Sequence, residues 1–268
     1  MTSARDFSGN GYNAFYEGLV EQVSAADAAV VGDIARRFSD SGRTLADATL
    51  QAALGVPAPC SMEFWYRADQ LGNYYQTPLM ARIGVATEDL PATGTEGFNF
   101  YVQDYTDSSA RGPGQFAFWV GGPFSGNGVT VGDWNVLSSG VVPTVGVWHH
   151  LVGTINAAET TAKLYVDGTL RKSQTITGYN VHATDYPLQI GRSPANVFGS
   201  DPAQVTGSID EVAILQVEMS AADVAARYAL RGDADAYYDD VMADNPLAYW
   251  RLNDVERGGF YVGQVQIG

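Results

Sequence analysis

Apolar and polar residues alternate with a period of two through most of the chain. In "SMEFWYRAD", Met62, Phe64 and Tyr66 fall on one side and Glu63, Trp65 and Arg67 on the other. Successive side chains of a strand point to opposite faces, so the segment predicts a strand with two dissimilar surfaces. "GFNFYVQD" and "QFAFWVGG" read the same way, with Phe116, Phe118 and Val120 sharing a face in the second. "WHHLVGTIN" precedes "AKLYVDGTLRKSQ", in which Asp167-Gly168 separates two alternating runs. That dipeptide predicts a β-hairpin, because a type I′ turn requires positive φ at both central residues. "YPLQIGRSP" and "GSIDEVAILQ" complete the series. Such strands, set between loops rich in Gly, Pro, Asn and Asp, predict an all-β fold: an antiparallel sandwich of two sheets.

Two segments near the C-terminus carry helical signals instead. "SAADVAARYALRG" opens with Ser220 as N-cap, places Asp223 three residues on as in a capping box, and stops at Gly232. "ADAYYDDVMADNP" predicts a second short helix ended by Pro246. "SAADAAVVGDIARRF" has the same cap spacing at Ser24 and Asp27, but its "IARRFS" portion reads equally as a strand after a loop.

The totals then exclude several functions. With 30 acidic and 15 basic residues the net charge is −15. Nucleic-acid binding needs clustered Lys and Arg to displace counterions, so a nucleic-acid partner is excluded, and an anionic membrane surface is disfavoured. No apolar run is long enough to span a bilayer. A single cysteine, Cys60, allows no intrachain disulfide. The stretch "MTSARDFSGNGYNA" has no apolar core of a signal peptide.

Several of these pieces resemble one family in order and spacing. "DFSGNGYNA" is similar to the Asp-x-Ser-Gly-Asn-Gly turn of laminin-G-like, concanavalin-A-like jelly-roll modules. "MEFWYRAD", "WHHLVGTIN", "KLYVDGTL", "IGRSP" and "GSIDEVAILQVEMSAADVAARY" follow in the family's order. The resemblance covers residues 4 to 231 and implies a jelly-roll sandwich, with one or two short helices at its C-terminal side. The domain organisation it suggests is a sandwich over 1–231, followed by a helical linker and closing strands over 232–268.

The ends depart from the pattern. In such modules a strand like "AYWRL" comes shortly before the Gly-rich turn. Here the turn begins at Asp6, and the matching strand is residues 247–252. Without that strand the sandwich would expose unpaired backbone groups along an edge. Three arrangements follow: the strand folds into its own sandwich, it enters a neighbour's and makes a homo-oligomer, or it marks the boundary of a further module. In the first two it is expected antiparallel to "GSIDEVAIL", with Ala248, Trp250 and Leu252 facing the core. Residues 258–267 are expected to continue as a second strand or arm.

Catalytic chemistry is not evident. Glycan-cleaving enzymes of this fold place two carboxylates across a cleft, and no Glu-x-Asp-x-x-Glu strand is present. Glu63 stands alone, and Asp210-Glu211, being adjacent in a strand, are expected on opposite faces. His149 and His150 split in the same way, which argues against a shared metal. The third histidine is His182. Cys60 lacks a histidine partner and reads as a half-buried thiol. Ser-Gly-Asn-Gly lacks the Lys and the helix of a phosphate loop.

The resemblance implies a structural Ca²⁺ where the early turn meets the last core strand, with Asp6, Asn10 and Asp210 as its ligands. The alternative is that Asp6 and Asn10 make only Asx-type turn bonds. For glycan binding the candidates are Tyr74 and Tyr75 in "LGNYYQTP", Asn127 in "FSGNGVT" and Trp134 in "VGDWNV", set on or beside loops 103–115 and 121–135. Trp65, Trp119 and Trp148 are expected in the core. The function expected is non-enzymatic recognition of a cell-surface glycan, or assembly with other surface proteins, in a virion (a phage tail or capsid) or on an extracellular surface. That setting rests on fold analogy. A purely structural subunit and a glycan hydrolase or lyase are the alternatives.

Overall fold

The computed structural model describes residues 3–17, 20–24, 28–38, 47–50, 55–71, 76–83, 96–102, 114–122, 134–179, 188–192 and 205–254. In chain order the strands begin with β1 (Ser3–Ala4), β2 (Ala14–Glu17), β3 (Val20–Gln22), β4 (Arg36–Phe38) and β5 (Asp47–Leu50). They continue with β6 (Cys60–Ala68), β7 (Gln76–Ile83), β8 (Glu96–Val102), β9 (Phe116–Gly121) and β10 (Trp134–Ser138). The remainder are β11 (Trp148–Ile155), β12 (Thr161–Val166), β13 (Thr169–Thr175), β14 (Gln189–Ile190), β15 (Gly207–Leu215) and β16 (Ala248–Trp250). Helices α1 (Ala221–Ala229) and α2 (Ala234–Ala243) connect β15 to β16.

The first sheet runs β1-β2-β5-β14-β7-β8-β9-β10 and the second β13-β12-β11-β6-β15-β4-β3, with β16 added to β15. Neighbours pair antiparallel, as in β8 with β9 and β6 with β11. The segment that read as either helix or strand at "IARRFS" is the strand β4. The hairpin at Asp167-Gly168 joins β12 to β13, both turn residues having positive φ.

The core lies between the sheets and follows the alternation. Cys60, Met62, Phe64 and Tyr66 of β6 face Phe98, Phe100, Phe116 and Phe118 of the first sheet. Phe100 meets Phe64 edge-on at 4.9 Å between ring centroids and stacks on Phe118 at 4.7 Å. Opposite them Gly153 of β11 leaves the space; a Cβ there would lie 2.7 Å from Phe100 and 2.9 Å from Phe118. Cys60 is fully buried rather than half-buried, and burial pushes its thiol up to about 12.

Strand β15 shares one edge between two partners. Its Gly207–Ile209 portion pairs with β4, and Val212, Ala213 and Ile214 pair with Trp250, Tyr249 and Ala248 of β16. The closing strand thus pairs within its own chain. Ala248, Trp250 and Leu252 join the inter-sheet core, while Tyr249 packs on the opposite side. Trp250 is fully buried, and its indole N–H donates to the Tyr12 carbonyl at 2.7 Å. Residues 258–267, expected as a further strand, lie outside the described residues.

Each sheet also has an outward face, and the two differ. That of the second sheet is covered by α1, α2 and residues 28–34. Ser220 caps α1 through the full capping box, and Asp233 caps α2. Val224 of α1 packs on Val152, Tyr165 and Leu215. Tyr237 and Val241 of α2 pack with Trp65, Ala213 and Tyr249. The outward face of the first sheet carries a small aromatic cluster, itself buried: Tyr101, Ala117, Trp119 and Trp134.

Candidate functional site

The aromatic cluster follows from the register of three strands. Phe98, Phe100 and Val102 of β8 point into the core, so Asn99 and Tyr101 point outward. In β9 the core takes Phe116, Phe118 and Val120, and Ala117 and Trp119 face outward. Asn99 sits opposite Trp119, and Trp119 opposite Val136 of β10. Tyr101 meets Trp119 edge-on at 5.2 Å, and Trp134 lies 6.2 Å from Trp119 between centroids, tilted by 48°. Around Trp119 the outward positions of β8, β9 and β10 among the described residues are Asn99, Tyr101, Ala117, Gly121, Trp134, Val136 and Ser138. None is a carboxylate.

Asn99 is the anomaly of this face. It has no exposed surface, and neither its amide oxygen nor its amide nitrogen has a hydrogen-bond partner. Such groups are rare in folded proteins, because each loses its water without replacement. The stability cost is about 1–3 kcal/mol for an unsatisfied group.

Of the four predicted glycan-binding residues, the structure places Trp134 in this cluster. Tyr74, Tyr75 and Asn127 lie outside the described residues. Trp119, expected in the core, is buried as expected, in a separate cluster on the outward side of the sheet. Its own strand signals this, since Phe116, Phe118 and Val120 share the other face. Asn99 was missed, although "GFNFYVQD" carries the same alternation. Trp65 is buried between the second sheet and the helices, and Trp148 is partly buried beside Arg67.

The three expected cation ligands are engaged with different partners. The Asp6 carboxylate accepts from the Ser8 amide (2.9 Å) and hydroxyl (2.8 Å), the Tyr12 amide (2.9 Å) and the Tyr249 amide (3.0 Å). The Asn10 amide nitrogen donates to the Pro246 and Leu247 carbonyls. Hydrogens point at Asp6 where a cation would sit, so this donor set does not fit Ca²⁺. The turn serves instead to grip residues 246–250, which also bond through Phe7 N–H to the Tyr249 carbonyl.

Asp210 belongs to another group. Oxygens of Asp33, Asp210 and Glu211 lie within 4.8 Å of one another, all buried. The expectation that Asp210 and Glu211 face opposite ways fails because β15 bulges. Its register with β6 shifts between Asp210 and Ala213, and Glu211 has φ of 49°. A bulge inserts a residue and breaks the period of two. The guanidinium of Arg251 bonds Asp33 at 2.5 Å and Glu211 at 3.2 Å, and Glu211 also accepts from the Tyr249 hydroxyl. Asp210 accepts from the amides of Ala29 and Glu211. Burial first, and the neighbouring Asp33 next, push the Asp210 carboxyl well up. Burial and a hydrogen bond with Asp33 do the same to Glu211.

The histidines split as expected. His149 touches Phe116 and bonds Asp167 at 2.8 Å, whereas His150 lies tilted against Trp65 and stacks on Tyr228. Beside His150, Arg227 of α1 bonds the buried Glu63 at 3.1 Å and reaches Asp240 and Asp244 of α2 and its C-terminal end at 2.6 and 2.7 Å. Burial raises the Glu63 carboxyl, but Arg227 and His150 outweigh it and hold it below its ordinary value. These charges fasten the helices to the sheet.

A profile of the "Concanavalin A-like lectin/glucanases superfamily" matches residues 40–225. No curated protein sequence matches the chain significantly. Among solved structures, the binding domain of Paraclostridial Mosquitocidal Protein 1 superposes with a TM-score of 0.55 at 12% identity, over 83% of this chain and 48% of that one. A structure concerning botulinum neurotoxin type C, whose cell entry depends on interaction with two ganglioside molecules, gives 0.54 at 14%, over 82% and 47%. The ligand-binding domain of botulinum neurotoxin serotype D, solved with N-acetylneuraminic acid, gives 0.52 at 15%, over 82% and 46%. The chain spans about half the length of these domains, and the likeness is one of fold.

Proposed function

Because the chain belongs to the concanavalin A-like lectin and glucanase superfamily, we propose that it is a non-enzymatic carbohydrate-recognition module whose binding face is the outward side of β8, β9 and β10. The observation that carries this reading is the Tyr101–Trp119–Trp134 cluster with the Asn99 amide beside it. Flat aromatic rings accept the C–H faces of sugar rings, and a few polar groups fix orientation. Binding domains among the structural neighbours, two of them described with gangliosides or N-acetylneuraminic acid, support recognition over catalysis. So does the lack of a carboxylate among the described outward residues around Trp119, since glycoside cleavage uses a facing pair. The carboxylates of Asp33 and Glu211 are engaged by Arg251, and that of Asp210 accepts from backbone amides, within the fold. The setting that goes with this role is a virion or an extracellular surface, where a module meets displayed glycans.

A printed array of microbial and mammalian oligosaccharides tests the reading. The protein is expected to retain a subset, and the retained glycans to show no reducing-end release on prolonged incubation. Retention of none favours a purely structural subunit. Release abolished by one carboxylate substitution favours an enzyme.

A further inference from the structure

His149 fixes the connection between β10 and β11. We infer that this histidine is a proton-operated latch: its neutral ring holds the loop tip at residues 142–145 to the sandwich, and protonation releases it. The Thr144 amide donates to His149 Nε2 at 3.3 Å, so Nε2 must offer a lone pair. In a neutral imidazole the other nitrogen then holds the proton, and Nδ1–H donates to the Asp167 carboxylate at 2.8 Å. The two contacts together fix one tautomer. A second proton goes to Nε2 and sets one N–H against another, so the Thr144 bond is lost. The ring itself stays, because Asp167 attracts it more strongly once it is charged. Asp167 is held in turn by the His150 amide at 3.0 Å. Burial raises the Asp167 carboxyl, but the bonds from His149 and the His150 amide outweigh it and keep it below its ordinary value. Asp167 therefore remains an anion while an imidazole titrates. With the ring anchored, the change falls on the loop.

The loop is tied so that one bond decides the state of its tip. On either side of the tip the ties use groups that do not titrate. Gly140 N–H donates to the Gln115 side chain at 2.6 Å, the Val141 carbonyl accepts from Phe116 N–H at 2.9 Å, and Gly146 N–H donates to the Ala68 carbonyl at 2.8 Å. Between Val141 and Gly146, the Thr144–imidazole bond is the tie to the body of the sandwich among the described bonds. The elements around the ring bring Asp167 as the charged group against it. Strand β9 presents Phe116. Strand β6 sets Tyr66 across from His149, and the Tyr66 hydroxyl donates to Gln76 at 2.8 Å. Arg67 lies over Trp148, and His150 is on the opposite face of β11. Residues 138–148 include no Asp, Glu, Lys or Arg. What is released is apolar, for Val142 and Val145 of the tip are already 45% and 52% exposed. The latch thus turns a pinned, uncharged valine segment into a mobile one in acid. It stands independently of the carbohydrate reading.

The test is nuclear magnetic resonance of the whole chain across the range in which imidazoles titrate, about pH 5 to 8. Imidazole nitrogen shifts report the tautomer and charge of His149. Amide exchange, referred to the intrinsic rate at each pH, reports the loop. At the alkaline end His149 is expected as the Nδ1–H tautomer. As it takes up a proton, protection of the Thr144 amide should fall by roughly threefold to tenfold, the range for one lost hydrogen bond. Ser139, whose N–H donates to the Phe116 carbonyl, should keep its protection. In His149→Gln the protection of Thr144 should no longer depend on pH. An Nε2–H tautomer, a ring that takes no proton in this range, or Thr144 protection unchanged on protonation overturns the latch. So does a fall shared equally by Thr144 and Ser139, or one that persists in His149→Gln. If the variant fails to fold, the wild-type titrations of the ring and of Thr144 decide alone: coincident curves support the latch and separate ones overturn it.

Discussion

The two outward faces of this sandwich solve the same problem in opposite ways. On the second sheet, buried charges are paired: Glu63 faces Arg227, Arg227 ties down Asp240 and Asp244, and Arg251 bridges Asp33 and Glu211, while Glu63 Oε2, His150 Nδ1 and Thr154 Oγ1 go without a hydrogen-bond partner there. Two helices complete that side. On the first sheet, aromatic rings surround an amide with no partner. A structure that satisfies buried charge on one face and leaves an amide bare on the other invites a division of labour. The helix-covered face holds the fold together through paired charges, and the other buries aromatic rings beside an amide.

The largest effects should come from breaking the covered face. Arg227→Ala leaves Glu63 buried without its guanidinium and should cost about 3–5 kcal/mol, the range for an orphaned buried charge, read by urea unfolding. A loss below 1 kcal/mol would mean that the helices are held by apolar packing alone. Trp250→Ala should cost roughly 3–5 kcal/mol as a large core truncation. The Tyr12 contact should make it accompany loosening of residues 5–12, visible as faster amide exchange there.

Asn99→Leu should do the reverse and stabilise the fold by about 1 kcal/mol or more, because it removes a buried unsatisfied amide. Destabilisation would show that the amide has a structural partner.

A smaller effect should appear with pH. The Asp210 and Glu211 carboxyls are pushed up by burial and by their neighbours. The folded state therefore holds protons there more tightly than the unfolded chain. The stability these groups contribute is complete below the ordinary carboxylate range and is lost as pH rises through their raised folded values. Glu63 and Asp167 have lowered values and work in the opposite sense, losing their contribution as pH falls. Comparing wild type with Asp210→Asn isolates the first group: the fall in urea midpoint from mildly acidic to mildly alkaline buffer should be shallower in the variant. An identical slope would contradict proton uptake at Asp210. Adding a chelator should leave the melting temperature unchanged, since the Asp6 turn is filled with N–H and O–H donors. A drop would point to a cation among the carboxylates.

Much of this was legible in the chain. The period of two assigned faces correctly in β6, where Phe64 is core and Glu63 and Trp65 lie outward, and in β16, where Trp250 is core and Tyr249 is not. The laminin-G-like resemblance also named the right superfamily, and the closing strand pairs with β15 as its sequence suggested. What escaped has a physical cause. A bulge leaves no mark on a period-two pattern, so the gathering of Asp33, Asp210 and Glu211 was hidden. Asp6 and Asn10 offered the right oxygen chemistry for a cation, but which donors the fold turns toward them depends on residues 246–249, far away in sequence. Trp119 and Asn99 were visible in principle. The alternation of β8 and β9 sets both on the side of the sheet away from the inter-sheet core.

Hydrogen–deuterium exchange with and without a retained oligosaccharide tests the division between the faces most directly. Ligand should slow exchange in peptides covering β8, β9 and β10 and leave β6, β15, α1 and α2 unchanged. Slowing confined to the helix-covered face, with β8–β10 unaffected, would contradict the account.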